Sequence, residues 1–182
     1  KALKSAEKGL EVWKKTSPWK RSAVIRKIAD LIRAKQDVLA KWITLEVGKP
    51  FAEGKGEVGA TADIFEWNSE ETKRIYGQTV ESRFEDTRIH VYYQPIGVVA
   101  AMSPWNFPLV LSGRKISTAL AAGCSVIIKP DTIAPGGVME LVDICREAGV
   151  PPGVVNLLSG DPPSIASQLI SSDIIKKISI TG

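Results

Sequence analysis

The stretch SPWNFP at residues 103–108 holds Asn106 between two prolines, directly after the apolar run IGVVAAM. Pro104 and Pro108 fix their own φ and restrict the residue before each, so a carboxamide is presented with little freedom at the end of a predicted strand. The residue types fit two uses: a donor held in place for a ligand, or a turn in which Asn106 bonds local backbone. Further on, Arg114 and Lys115 set two cations side by side in a helical stretch. A guanidinium can donate two parallel hydrogen bonds to a carboxylate, and it can equally stand exposed on a helix face. Lys129 closes the run SVIIK, and Pro130 stops the strand. A lysine in that position ordinarily lays its stem on apolar surface with its ammonium in water.

Other reactive side chains are few. Cys124 precedes an apolar strand and Cys145 falls in an amphipathic helix, and two cysteines make neither a disulfide framework nor a zinc site, so both read as reduced packing residues. His90, the only histidine, sits in RIHVYYQ as a strand side chain, which argues against a histidine metal site or a Ser-His-Asp triad. The net charge of +4 comes from the first ninety residues, where 18 Lys/Arg face 14 Asp/Glu, while the remainder has 6 of each. Acids and bases interleave there as on solvated helix faces, so no nucleic-acid partner is expected. The apolar runs fall short of the roughly 18–20 residues that cross a bilayer, and the first residues lack the apolar core of a secretory signal. No membrane partner is expected, and the cytoplasm is the predicted compartment.

The elements that must position these residues follow from periodicity. Between Lys20 and Val47 the apolar positions Val24, Ile25, Ile28, Leu31, Ile32, Val38, Leu39, Trp42 and Ile43 predict two amphipathic helices, with Asp37 capping the second and Gly48-Lys49-Pro50 ending it. A third helix is predicted over Glu53 to Ile75, and the alternation in 78–94 predicts a hairpin. From Pro95 the runs IGVVAAM, SVIIK, VVNLLSG and KKISITG recur at about 25–30 residues, separated by helical stretches at Gly113 to Ala122, Gly137 to Ala148 and Ser164 to Ile170. The predicted fold is α/β: a Rossmann-like parallel sheet with helices on both faces, preceded by an N-terminal helical segment and a β-hairpin. The expected division is 1–77 helical, 78–94 hairpin and 95–182 Rossmann-like. Ligands bind such sheets beyond the carboxyl ends of the strands, which brings SPWNFP, KPDTIAP, SGDPP and the terminal Thr181-Gly182 to one rim. No G-x-G-x-x-G stands among them.

SPWNFP, GRKISTALAAGCSVIIKP, EAGVPPGVVNLLSG and KKISITG, in that order and spacing, resemble the NAD(P)-dependent aldehyde dehydrogenase superfamily. TLEVGKPFAEGKGEV and FEWNSEETKRIYG look most like its succinate-semialdehyde dehydrogenase branch. The resemblance implies a cysteine thiolate that attacks an aldehyde, a hydride passed to nicotinamide, and a glutamate that helps water hydrolyse the thioester. It places Asn106 as a donor to the oxyanion, beside a backbone N–H, and Lys115 in a proton relay or in the oxyanion environment, a salt-bridged helix lysine being the other reading. Arg114 matches the arginine that holds the substrate carboxylate.

For the cofactor, the resemblance implies a binding surface of Ser103, Pro104, Trp105, Lys129, Asp131, Thr132, Gly160, Thr181 and Gly182, with Lys129 on the adenosine ribose and Gly160 near the adenine and pyrophosphate. Ala166 stands where a second glycine often follows. Thr132 replaces the glutamate common in NAD-preferring members; a carboxylate repels a 2′-phosphate, so NADP is expected to be tolerated or preferred, with NAD the alternative. Asp131 would restore part of the repulsion if it turned inward. The hairpin matches an oligomerisation segment, which implies a homodimer or homotetramer of the parent enzyme.

The sequence ends before the family's glutamate and nucleophilic cysteine segments, so the cofactor domain is expected to be incomplete, the 182-residue chain inactive, and its unpaired edges prone to self-association. The rival readings are a noncatalytic nucleotide-binding or assembly module of the same fold, and an enzyme for another aldehyde, including a CoA-acylating one.

Overall fold

The computed structural model describes residues 1–182. Four helices come first: α1 (Ala2–Trp13), α2 (Pro18–Ala34), α3 (Gln36–Val47) and α4 (Phe51–Glu71), the last closed by one 3-10 turn at Thr72–Arg74. Ser17 caps α2 by accepting from the Lys20 N–H, with Pro18 preset for the first turn. Gly48 ends α3 at φ 78°, a left-handed conformation that a β-carbon disfavours. Asp37 does not cap α3. One residue, Lys35, joins α2 to α3 and occupies the cap position, so Asp37 lies inside the first turn and pairs instead with Lys55 of α4 at 2.8 Å. The helix α1, which periodicity did not single out, buries Ala6 and Trp13.

Ile25, Ile28 and Ile32 of α2, Leu39 and Ile43 of α3, and Val58, Ala62 and Phe65 of α4 pack into one core. Val38 and Trp42, predicted on that buried stripe, are 47% and 40% exposed. The Trp42 ring lies against the backbone at Gly136, where a β-carbon would meet Cε3 at 2.5 Å, so it serves an edge contact between α3 and the α/β layer.

The hairpin pairs β1 (Gln78–Glu81) with β2 (Arg88–Val91), antiparallel, with Gln78 opposite Val91 and Glu81 opposite Arg88. Glu81 and Arg88 form an ion pair at 3.1 Å, and His90 projects from β2 within 3.2 Å of the Thr79 hydroxyl.

The remaining chain alternates β3 (Val98–Met102), α5 (Pro108–Ala121), β4 (Ser125–Lys129), α6 (Gly136–Ala148), β5 (Val155–Leu157), α7 (Pro162–Ile170) and β6 (Ile175–Ile180). The strands form one parallel sheet in the order β5-β4-β3-β6. Every residue of β3 and β4 is buried, as unbroken apolar runs require when both faces are covered. Their side chains alternate between two cores. Val99, Ala101, Val126 and Ile128 face α2 to α6, while Val98, Ala100, Met102 and Ile127 face Ala6 of α1 and Leu169 of α7.

Helix α5 starts at Pro108 and α7 at Pro162, ahead of the predicted starts at Gly113 and Ser164, because proline is suited to the first helical turn. The chain steps outward from β3 to β5, then α7 returns it to β6 on the other side of β3. Strand order therefore reverses between β3 and β6, the kind of switch point at which a crevice opens beyond the carboxyl ends.

Candidate functional site at the carboxyl rim of the sheet

Four strand exits meet at this rim. The one after β3 is stitched down at Ser103, whose N–H donates to the Lys129 carbonyl at 3.3 Å and whose buried hydroxyl lies 2.7 Å from that of Ser112. Trp105, Asn106 and Phe107 then stand exposed. Asn106 Oδ1 accepts from the Phe107 N–H at 3.1 Å, while Nδ2 makes no hydrogen bond within the chain. The local turn bond is therefore present, made by the carbonyl end, and it leaves the amide donors of the same side chain unused within the chain.

Helix α5 carries Arg114 and Lys115. Lys115 Nζ donates to the Thr181 hydroxyl at 2.6 Å, linking α5 to the end of β6, and forms no ion pair within these 182 residues. Burial, and then the adjacent Arg114 charge, hold its ammonium below the usual lysine range. Thr181 is fixed from the other side by its N–H, which donates to the Met102 carbonyl at 3.1 Å. Gly182 is exposed beside it.

Arg114 is exposed and forms no ion pair. Asp63 of α4, which lines the same groove, is held by Arg33 at 2.8 Å. Phe107, Val110 and Arg114 recur at helical spacing along α5 and face Gly56, Ala60, Ile64 and Trp67 of α4. Two cavities, of about 440 and 460 Å³, lie along this seam, the second lined by Arg114, Asn68 and Trp67.

After β4, Lys129 does not reach for water: it is 8% exposed, and its Nζ donates to the Pro130 carbonyl at 3.0 Å. Asp131 Oδ1 accepts from the Ile133 N–H at 3.1 Å, turning the carboxylate into its own loop, and the exposed Thr132 hydroxyl lies 3.5 Å from the same oxygen. Past β5, Gly160 has φ 145°, and a β-carbon there would meet only Ile165 Cδ1 at 3.5 Å, so conformation rather than crowding explains the glycine.

Two carboxylates escaped the sequence reading. Glu46 of α3 accepts from the Gly136 and Gly137 N–H groups at 2.7 and 3.2 Å, and Glu57 of α4 accepts from the Leu109 N–H at 2.9 Å. Each caps the helix that leaves a strand at the rim, α6 and α5 respectively. A signal existed for Glu57, which falls in phase with Gly54, Thr61 and Phe65 on the buried face of α4.

The rim thus carries three cations, Arg114, Lys115 and Lys129, none of them paired with an acid, and the unused donor Asn106 Nδ2, while Asp131, Glu46 and Glu57 accept from backbone amides. That balance favours ligands bearing phosphate or carboxylate groups. Neither cysteine joins it: both thiols are buried, and burial pushes Cys145 up to about 12.

The model of the aldehyde dehydrogenase family matches residues 1–182. The chain belongs to this family. As an aldehyde dehydrogenase chain it is 43% identical over 182 residues to succinate semialdehyde dehydrogenase of Acinetobacter baylyi and 41% identical over 182 residues to glutarate-semialdehyde dehydrogenase of Pseudomonas putida. It is covered completely in both alignments and spans 38% of the length of each relative. The crystal structure of an Escherichia coli NADP-dependent enzyme superposes with a TM-score of 0.96 at 40% identity, over 97% of this aldehyde dehydrogenase chain and 37% of the other.

Proposed function

We propose that these residues form the cofactor-side wall of an enzyme that oxidises a small aldehyde with a distal carboxylate, succinate semialdehyde or a similar acid, with NADP or NAD as the acceptor. The observation that carries the substrate class is Arg114, a guanidinium with no acid partner at the end of the α4–α5 seam that begins at Phe107. Its planar donors match a carboxylate in two parallel bonds. The relatives named for succinate and glutarate semialdehyde support the same class.

The dinucleotide, when bound, accepts the hydride that the aldehyde carbon loses. Lys129 and Thr132 would hold its ribose end, and the Asp131 carboxylate, folded back on its own loop toward the Ile133 N–H rather than inward, leaves less repulsion for a 2′-phosphate, which favours NADP. Ser103, Pro104, Trp105, Gly160, Thr181 and Gly182 would form the rest of that surface. Asn106 Nδ2 would donate to the oxygen that becomes negative when a cysteine from elsewhere in the enzyme adds to the carbonyl. Lys115, held beside Thr181 with a lowered pKa, would shape the field around that oxygen or pass a proton. Hydrolysis of the thioester by water then releases the acid.

Two free cysteines suit the reducing cytoplasm. The exposed hairpin, with Val80, Ile89 and Tyr92 on its surface, would serve a homodimer or homotetramer.

The decisive experiment is Arg114→Ala in a full-length protein carrying these residues. KM for succinate semialdehyde should rise roughly ten- to a hundredfold, the factor that one or two charge-assisted hydrogen bonds carry. An uncharged aldehyde of equal length should keep its KM. An unchanged KM for the acid aldehyde would remove the clamp.

A further inference from the structure

We propose that Lys49 and Glu57 are positioning residues, a buried ion pair that reaches from the α3–α4 turn and α4 to hold the loop bearing Asn106. The proposal rests on the reading of Asn106 as an oxyanion donor.

The geometry starts from a gap in the capping of α5. Phe107 occupies its N-cap and offers no side-chain acceptor, Pro108 has no N–H, and the next amides, Leu109 and Val110, need partners. Glu57 supplies them from another helix: Oε1 accepts from Leu109 at 2.9 Å and lies 3.4 Å from the Val110 nitrogen. Its other oxygen, Oε2, accepts from Lys49 Nζ at 2.6 Å. The same ammonium sits 3.5 Å from the centroid of the Phe107 ring. One pair of charges therefore grips the residue after Asn106 by its ring and the second and third residues of α5 by their amides.

This arrangement frees Asn106. Asparagine is among the strongest local caps, and a chain without Glu57 would draw its carbonyl toward the open amides of the first turn. With those amides satisfied from α4, Oδ1 bonds only Phe107 N–H, and the direction of Nδ2 is set by a rigid support. The Glu57 side chain is 1% exposed and that of Lys49 is 15% exposed. Desolvating two charges is costly, and a purely structural junction between α4 and α5 is served as well by apolar residues. What a charged pair adds is directional contact with both sides of the Phe107–Pro108 bond.

The test uses a full-length protein carrying these residues and the double variant Lys49→Met/Glu57→Gln. It leaves no unpaired charge, keeps side-chain length, and retains an amide oxygen at 57; Glu57→Ala, which opens the cap altogether, accompanies it. For the double variant, kcat with succinate semialdehyde should fall about ten- to a hundredfold, as for a reacting group displaced by about 1 Å. KM for the aldehyde and the Kd of NADP should change much less than kcat, because Arg114 lies further along α5 and Ser103, at the start of the loop, is held separately by the Lys129 carbonyl and the Ser112 hydroxyl. In Glu57→Ala, amide hydrogen exchange at Leu109 and Val110 should accelerate about tenfold or more, with the β3 and β4 amides unchanged. The proposal is overturned if kcat holds within about twofold, or if kcat, KM, Kd and melting temperature all deteriorate together. Should the unmodified protein oxidise no aldehyde, the proposed function fails separately, and unaltered exchange at Leu109 and Val110 would overturn the clamp on its own.

Discussion

The oxyanion role proposed for Asn106 depends on how its carboxamide is held. Its Oδ1 bond to the Phe107 N–H orients the carboxamide plane, and orientation in advance is what makes a donor useful to an oxyanion. Asn106→Ala in a full-length protein should reduce kcat by about a hundred- to a thousandfold, with a much smaller change in KM. Retained kcat in steady-state assays would reduce Asn106 to a turn residue. Thr132 is the position proposed to set the cofactor preference. Because Asp131 is turned toward Ile133, a carboxylate introduced by Thr132→Glu would be the acid facing the ribose. It should lower kcat/KM with NADP relative to NAD; an unchanged ratio of the two assays would show that position 132 does not select.

Between elements, the contact of α4 with α5 matters most, since it forms the seam that ends at Arg114. Gly113 is buried in that contact: a β-carbon would meet Thr61 Cγ2 at 2.8 Å and Phe65 Cε2 at 3.2 Å. Thr61 is β-branched and fully buried, so it cannot swing aside as the tip of a flexible side chain would. Gly113→Ala should therefore push the two helices apart at a cost of about 1–3 kcal/mol. Differential scanning calorimetry should record a melting temperature lower by several degrees, and an equal or higher value would mean that the seam has slack. Glu46 and Glu57 act at this scale too. Each closes the N-terminus of an α/β helix from the helical layer, so α5 and α6 are registered against α3 and α4 by polar bonds as well as by packing.

For the molecule as a whole, two surfaces stand out. One edge of β6 has no strand partner, with Ile178 and Ile180 exposed along the strand, and the hairpin exposes Val80, Ile89 and Tyr92. An open strand edge bearing apolar side chains recruits further strands. The 182-residue chain alone should sediment with a weight-average mass that rises with concentration; an invariant monomer would contradict this. It should also form no NADPH from aldehyde, because its only thiols, Cys124 and Cys145, are buried, and burial raises the Cys145 pKa to about 12, far from the thiolate form. Aldehyde-dependent absorbance at normal rates from the purified chain would overturn that expectation.

Sequence alone determined what depends on local pattern. Strand runs at β3 to β6, the hairpin, the glycine stop at Gly48 and the gathering of four loops at one rim follow from periodicity and turn chemistry, which act over a few residues. The motifs around Asn106 and Lys129 carried the family as well. Tertiary structure decided which partners those residues take. Lys129 became buried, Asp37 paired with Lys55, and Val38 and Trp42 left the core stripe, each through contacts that periodicity does not encode. Glu57 shows the reason most plainly: its partners Leu109 and Val110 lie more than fifty residues away, and only the packing of α4 on α5 brings a buried carboxylate to the first amides of that helix.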